Sequence, residues 1–147
     1  MAEVVQEIVV DASPETIFEL LTAPEAHLRW MGTEADLDPR PGGGYRVLVA
    51  GQFPAVGEFV EVVPNQKVVF TFGWDAPDNP VGPGSSTVEI SLHLEDGKTL
   101  VRLVHRGLPE DGVAPHAHGW AHYLGRLAVA GPGGDAGPDT GPGGGGD

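Results

Sequence analysis

The sequence contains no cysteine among its 147 residues. Disulfide bonds, thiolate zinc sites and cysteine nucleophiles are therefore excluded. No apolar run approaches the ~20 residues that a membrane-spanning helix needs, so we expect no membrane partner. The first residues also lack the basic start and long apolar stretch of a secretion signal. These absences together predict a cytoplasmic location.

Basic residues are scarce as well. The sequence has 8 lysines and arginines against 21 aspartates and glutamates, which gives a formal net charge of −13. Proteins that bind nucleic acids neutralise phosphates with clustered basic side chains, so we expect no nucleic-acid partner. The same acidity disfavours binding to anionic membrane surfaces. Its simplest consequence is solubility.

Glycine and proline are concentrated at the end of the chain. Residues 131–147 include nine glycines and three prolines but no large apolar side chain. Such a segment buries too little surface to offset the entropy lost on ordering, so we predict a disordered acidic tail. Residues 1–130 are then predicted to form one domain, and their number suits a single domain.

Local signals place two short helices near the start of the chain. A β-rich run at about 4–10 is followed by Ser13, a favourable N-cap, and by Pro14, which suits the first helical position. These residues predict a helix at about 14–22 and a second helical turn at about 25–29. Strand-like runs then follow at about 44–50, 56–63, 67–74, 86–95 and 99–106.

A single long amphipathic helix is predicted from Ala114 to Val129. At ~100° per residue, one face collects apolar and aromatic side chains together with one histidine. These residues are His116, Trp120, Tyr123, Leu124 and Leu127. The opposite face, which carries His118, His122 and Arg126, is predicted to face solvent.

The three histidines of this helix do not predict a metal site. His118 and His122 have the i, i+4 spacing of some zinc ligands, but no glutamate stands between them in a His-Glu-X-X-His pattern. His116 lies on the other face of the helix. We therefore expect no metal site and no cofactor.

Alternation along three strands predicts which side chains share the inner face of the sheet. The apolar sets occupy every second position, as expected for strands with one covered face. They are Phe70, Phe72 and Trp74; Val88, Ile90, Leu92 and Leu94; and Val101, Leu103 and His105. Short connections between strands predict an antiparallel meander. The fold class is thus predicted to be α+β, with a curved antiparallel sheet of about six or seven strands wrapped around the long C-terminal helix.

The order and spacing of several segments resemble a known family. They are 9–18, Trp30, 41–45, 57–64, 68–74, 99–105, and His116 followed by Gly119-Trp120. The chain resembles the START-like, or SRPBCC, superfamily, and within it the group similar to the C-terminal domain of the activator of heat shock protein 90 ATPase. The resemblance implies a helix-grip fold with a cavity between sheet and terminal helix. Members of the superfamily bind lipids, hormones or polyketides, and some act as cyclases or as oxygenase domains.

Eleven residues are predicted to line such a cavity: Trp30, Tyr45, Phe70, Phe72, Trp74, Leu92, Leu103, His105, His116, Trp120 and Leu124. The alternative for this set is that it only fills the core. His105 and His116 would orient a ligand or transfer protons, or else serve as structural histidines. Neither has a carboxylate close by in sequence, and no catalytic residue is assigned. Trp74 and the proline-rich loop 75–85 are predicted to gate the cavity.

Three functions remain open from the sequence. The first is binding of a small hydrophobic or amphipathic molecule, which would be the main partner of a monomer or homodimer. The second is an enzyme of the polyketide cyclase or aromatase type that uses the cavity histidines. The third is a co-chaperone or stress-related interaction module. We expect no second domain of the kind found in the chaperone cofactors that name the group, which weakens the third function.

Overall fold

Seven antiparallel strands form one curved sheet in the structure, a computed structural model that describes residues 2–142. The strands run in the spatial order β1-β7-β6-β5-β4-β3-β2, so the first strand pairs with the last. Their bounds are β1 Ala2–Val10, β2 Glu34–Leu37, β3 Gly44–Val49, β4 Phe53–Val63, β5 Lys67–Phe72, β6 Ser86–Glu95 and β7 Lys98–Leu108.

Three helices and one short 3-10 turn complete the fold. They are α1 Pro14–Thr22, α2 Pro24–His27, the 3-10 turn Glu110–Gly112 and α3 Val113–Ala130. Ser13 caps α1, because its Oγ accepts a hydrogen bond from the backbone N–H of Thr16 at 3.1 Å. The predicted class is confirmed: an α+β helix-grip arrangement with short helices after the first strand and a long C-terminal helix.

The inner face of the sheet carries the core, as the alternation predicted. Val88, Ile90 and Leu92 are at most 5% exposed, and they belong to the same buried core as side chains of α1 and α3. Leu94 was predicted to belong to the same set, and this prediction is wrong, since Leu94 is 68% exposed. It lies next to the turn that joins β6 to β7, where the strand has run past the core.

A close backbone approach fixes the loop between β5 and β6. A Cβ atom at Gly73 would clash with the carbonyl of Gly82, so only glycine fits there. Beyond this contact, the backbone N–H of Trp74 donates to the carbonyl of Val81 at 2.8 Å. The loop is therefore folded back on the end of β5, and Val81 is 1% exposed.

The chain after α3 turns back along the body of the protein. Arg126 was predicted to face solvent, and this is wrong: it is 9% exposed and donates to the carbonyls of Trp30, Ala136 and Gly137 at 2.7–2.9 Å. The turn at the end of α3 brings the carbonyls of Ala136 and Gly137 to Arg126, on the helix face that would otherwise be open. Residues 131–142 therefore have defined contacts that composition did not indicate. The last five residues of the predicted tail, 143–147, lie outside the described residues.

No helix within residues 2–142 combines the length and the apolar character that crossing a membrane requires.

Candidate functional site

An apolar pocket of about 280 Å³ opens between α3, the end of β5 and the loop that follows it. One water takes up about 30 Å³ in the liquid, so the pocket has room for far more than a few waters. Its lining residues come from several segments that are far apart in the sequence. They are Met31, Val49, Phe53, Phe72, Trp74, Asn79, Pro115, His116, Gly119, Trp120, Tyr123 and Pro142.

Helix α3 supplies one wall of the pocket. Its lining residues recur at three- and four-residue steps, which places them on one face of the helix. They are Pro115, His116, Gly119, Trp120 and Tyr123. The missing side chain of Gly119 leaves part of this space empty, because no heavy atom outside the adjacent residues and backbone of α3 lies within 4 Å of a Cβ added there.

Phe72, near the centre of the opposite wall, joins the sheet to the helix. Its ring meets His105 edge-on, with centroids 5.1 Å apart, and meets Trp74 in the same way at 5.3 Å. The ring of Trp120 lies 5.8 Å away. Such edge-to-face pairs hold aromatic walls at fixed angles.

His116 has both ring nitrogens occupied. Its Nδ1 lies 2.7 Å from the carbonyl oxygen of Gly112, and its Nε2 lies 3.0 Å from the indole nitrogen of Trp74. A carbonyl only accepts and an indole N–H only donates. His116 is therefore a neutral imidazole with its proton on Nδ1, and it holds Trp74 in place.

Both ring nitrogens of His105 are hydrogen-bonded as well, with the donor and acceptor nitrogens exchanged. Its Nδ1 accepts the indole N–H of Trp120 at 3.0 Å. The hydroxyl of Ser86 donates to the carbonyl of Phe72 at 2.6 Å, so the Nε2–H of His105 donates to Ser86 Oγ at 2.8 Å. Burial lowers the pKa of His105 to about 3.

These two histidines orient the pocket walls and have no nitrogen free for proton transfer. Each fixes one tryptophan indole, and the two tryptophans face the pocket. Among the described lining residues there is no carboxylate, ammonium or guanidinium group. The arrangement favours an apolar, preferably aromatic, ligand body held by contact and ring packing.

The tautomers can be checked directly. We expect long-range ¹⁵N–¹H correlation spectra at pH 7 to show His116 protonated on Nδ1 and His105 protonated on Nε2. The opposite assignments would contradict the hydrogen bonds described, because each indole N–H needs an unprotonated ring nitrogen as its acceptor.

Four of the eleven residues predicted for the cavity line this pocket: Phe72, Trp74, His116 and Trp120. The other seven are buried in the core but do not line it. They are Trp30, Tyr45, Phe70, Leu92, Leu103, His105 and Leu124. Trp30, for example, donates its indole N–H to the carbonyl of Leu20 at 2.7 Å beneath α1.

Eight lining residues were not among those predicted: Met31, Val49, Phe53, Asn79, Pro115, Gly119, Tyr123 and Pro142. For two of them the sequence indicated a position near the cavity. Tyr123 lies on the inward face predicted for the helix, and Asn79 lies in the loop predicted to gate the cavity. The hairpin residues Val49 and Phe53 carry no local mark of a pocket, since only the curvature of the sheet brings them there.

Comparison with known proteins agrees with this fold. Residues 11–130 match the family model described as activator of Hsp90 ATPase homolog 1-like protein. An AHSA1-like protein from Rhizobium etli is 50% identical, with a TM-score of 0.74, over 94% of this chain and 86% of that one. Comparison with curated proteins gave no match.

Two further solved structures share the fold at lower identity. The Aha1 dimer from Colwellia psychrerythraea is 23% identical, with a TM-score of 0.78, over 91% of this chain and 98% of that one. DynU16, from the dynemicin biosynthetic locus, is 23% identical, with a TM-score of 0.81, over 94% of this chain and 50% of that one. With most of its length matched by the family model, the chain belongs to the activator of Hsp90 ATPase homolog 1-like family.

Proposed function

We propose that the protein binds a small hydrophobic or amphipathic molecule in the pocket between the sheet and α3. The observation that carries this proposal is the pair of tryptophans, Trp74 and Trp120, each held by a hydrogen bond from its indole N–H to a histidine at the pocket wall. A set of fixed aromatic walls around an empty apolar space is typical of a preformed ligand site.

Binding without catalysis fits the site better than a cyclase-type reaction. General acid–base catalysis requires a nitrogen within hydrogen-bond reach of the ligand. The nitrogens of His105 and His116 are already bonded to protein groups. A reaction at this site would first have to break one of these bonds.

Location and assembly belong to the same proposal. We place the protein in the cytoplasm, as a monomer or as a homodimer. The Colwellia psychrerythraea relative is described as a dimer, which supports the second form. The co-chaperone role suggested by the family description stays an alternative, and no described feature of the pocket requires it.

Filling the pocket tests the proposal. Gly119→Leu places a side chain in the empty space beside Trp120, so we expect the affinity for a neutral probe, 4-phenylbutan-1-ol, to fall by about tenfold or more. The free energy of unfolding should rise by up to about 1 kcal/mol, because glycine is a poor helix former. Isothermal titration calorimetry and urea unfolding measure the two effects.

Gly125→Leu is the matched control. Gly125 also lies in α3 with no atom near an added Cβ, but it is exposed and does not line the pocket. We expect a similar gain in stability and an affinity for the probe within about twofold of the unmodified protein. Equal losses of affinity in both variants, or no binding to the unmodified protein, would contradict the proposal.

A further inference from the structure

The segment after α3 contains a buried carboxylate, that of Asp139, which is surrounded by hydrogen-bond donors. Asp139 is 6% exposed. Its Oδ2 accepts from the backbone N–H of Gly32 at 2.8 Å and from that of Ala50 at 3.1 Å. Its Oδ1 accepts from the hydroxyl of Tyr123 at 2.8 Å, and the tail adds the N–H of Gly141 at 3.0 Å. Three of the four donors therefore belong to the body of the protein.

The three body donors lie at the edge of the apolar pocket. Tyr123 itself lines the pocket, Gly32 follows the lining residue Met31, and Ala50 follows the lining residue Val49. On the tail side, Pro142, three residues after Asp139, also lines the pocket. The carboxylate therefore lies beside the apolar space, with Tyr123 between them.

The donors are positioned without help from the tail. The backbone N–H of Thr33, next to Gly32, donates to the carbonyl of Leu48 at 2.8 Å. In the β3–β4 turn, the N–H of Gln52 donates to the carbonyl of Val49 at 3.0 Å. Both bonds are within the body, so the two N–H groups would keep their places if the tail moved away.

The charge of Arg126 favours an anion in the same place. The guanidinium is tied to the body through its Nε, which donates to the carbonyl of Trp30 at 2.7 Å. Its remaining contacts are with tail carbonyls, those of Ala136, Gly137 and Pro138. Release of the tail would leave this cation near the vacated donors, where it would attract a negatively charged group.

Tyr123 is suited to act as a donor in this site. Burial, together with its hydrogen bond to Asp139, raises the pKa of the phenol. The hydroxyl is therefore protonated near pH 7 and donates to an anionic oxygen. Charge-assisted hydrogen bonds of this kind are about twice as strong as neutral ones.

We propose that the N–H groups of Gly32 and Ala50 and the hydroxyl of Tyr123 form a carboxylate subsite. The ligand of this pocket is accordingly a monocarboxylate with an apolar body, and Asp139 takes the place of its carboxylate when no ligand is bound. The tail acts as an internal competitor, since a short tether gives a carboxylate an effective concentration in the millimolar range. This inference rests on the proposed function of the pocket.

Phenyl-substituted acids and alcohols of equal length test the subsite. The probes are 3-phenylpropanoate, 4-phenylbutyrate and 5-phenylpentanoate, each compared with its alcohol by isothermal titration calorimetry. In Asp139→Asn the internal carboxylate is gone and the side-chain volume is kept. We expect the ratio of acid affinity to alcohol affinity to rise by about tenfold for at least one length, as removal of a millimolar competitor allows.

Two further variants make the result specific. Asp135→Asn removes another tail carboxylate, which accepts only from the N–H of Gly137 among the described bonds, and should leave the ratio unchanged. With Asp139 replaced, Tyr123→Phe should weaken acid binding several-fold more than alcohol binding. With Asp139 intact the ratio should change little, because the internal carboxylate loses the same hydrogen bond. If Asp139→Asn folds poorly, Asp139→Ser supplies the background without the internal carboxylate for the same comparison.

The outcomes separate the two proposals. Alcohols that bind while the acids gain nothing in Asp139→Asn would overturn the carboxylate subsite and leave the apolar pocket standing. Equal gains for acid and alcohol would also overturn the subsite, because the tail would then act only by covering the pocket. Failure of every probe with every variant would contradict the pocket and the subsite together.

Discussion

Replacing Phe72 by alanine is expected to lower the free energy of unfolding by about 3–5 kcal/mol, the usual cost of truncating a buried aromatic side chain. Phe72 is 1% exposed and touches the sheet, the helix and the loop beside the pocket. Its loss would remove ring contacts with His105, Trp74 and Trp120 together. The space left behind would be continuous with the pocket and would not be refilled by neighbours.

Phe53→Ala is the control for this variant. Phe53 also lines the pocket and meets Trp74 edge-on at 6.5 Å, but it is 51% exposed. We expect its truncation to cost less than about 1 kcal/mol, as for most exposed positions. Urea unfolding followed by circular dichroism measures both. Equal costs for the two variants would show that Phe72 does not have the central role described.

The second large effect is loss of stability in mild acid. Burial lowers the pKa of His27 from 6.5 to about 4 and that of His105 from 6.5 to about 3. Between these values and pH 6.5 the unfolded chain binds protons that the folded protein does not. The stability gained by keeping each histidine neutral is therefore fully present above pH 6.5. It is lost as the pH falls, towards 4 for His27 and towards 3 for His105, by up to about 1.4 kcal/mol per pH unit for each histidine.

His105→Gln removes one of these two titrating groups. Glutamine offers an oxygen to the indole of Trp120 and an N–H to Ser86, yet it does not titrate. The slope of unfolding free energy against pH, measured from pH 6.5 to 4.5, should fall by about 1 kcal/mol per pH unit relative to the unmodified protein. Protonation of carboxylates contributes equally to the slopes of the variant and of the unmodified protein. Identical slopes would mean that His105 takes up its proton in the folded state.

The periodic parts of the fold could be predicted because burial repeats with the secondary structure. The alternation of Val88, Ile90 and Leu92 indicated the inner face of β6, and the stripe from His116 to Leu127 indicated the buried face of α3. Ser13 and Pro14 marked the start of α1 for a local reason, the capping of free N–H groups. Each of these signals is contained within one segment.

The site was harder to predict, because its contacts join distant segments. The inward direction of His116 followed from the helix period, but its partner Trp74 is 42 residues away. Asp139 bonds to Gly32 across 107 residues, and no local pattern in a glycine-rich tail indicates such a contact. Arg126 was placed in solvent by the same helix period, which takes no account of a chain that folds back.

The central claim, that a ligand occupies the pocket beside Trp74 and Trp120, can be tested with the three indole N–H signals of the protein. A ¹⁵N–¹H correlation spectrum, recorded at each step of a titration with 4-phenylbutan-1-ol, follows the position of each signal. We expect the signals of Trp74 and Trp120 to shift in a saturable way, while that of Trp30, bonded to Leu20 outside the pocket, stays in place. A titration in which Trp30 alone moves, or in which no indole signal moves, would contradict the account.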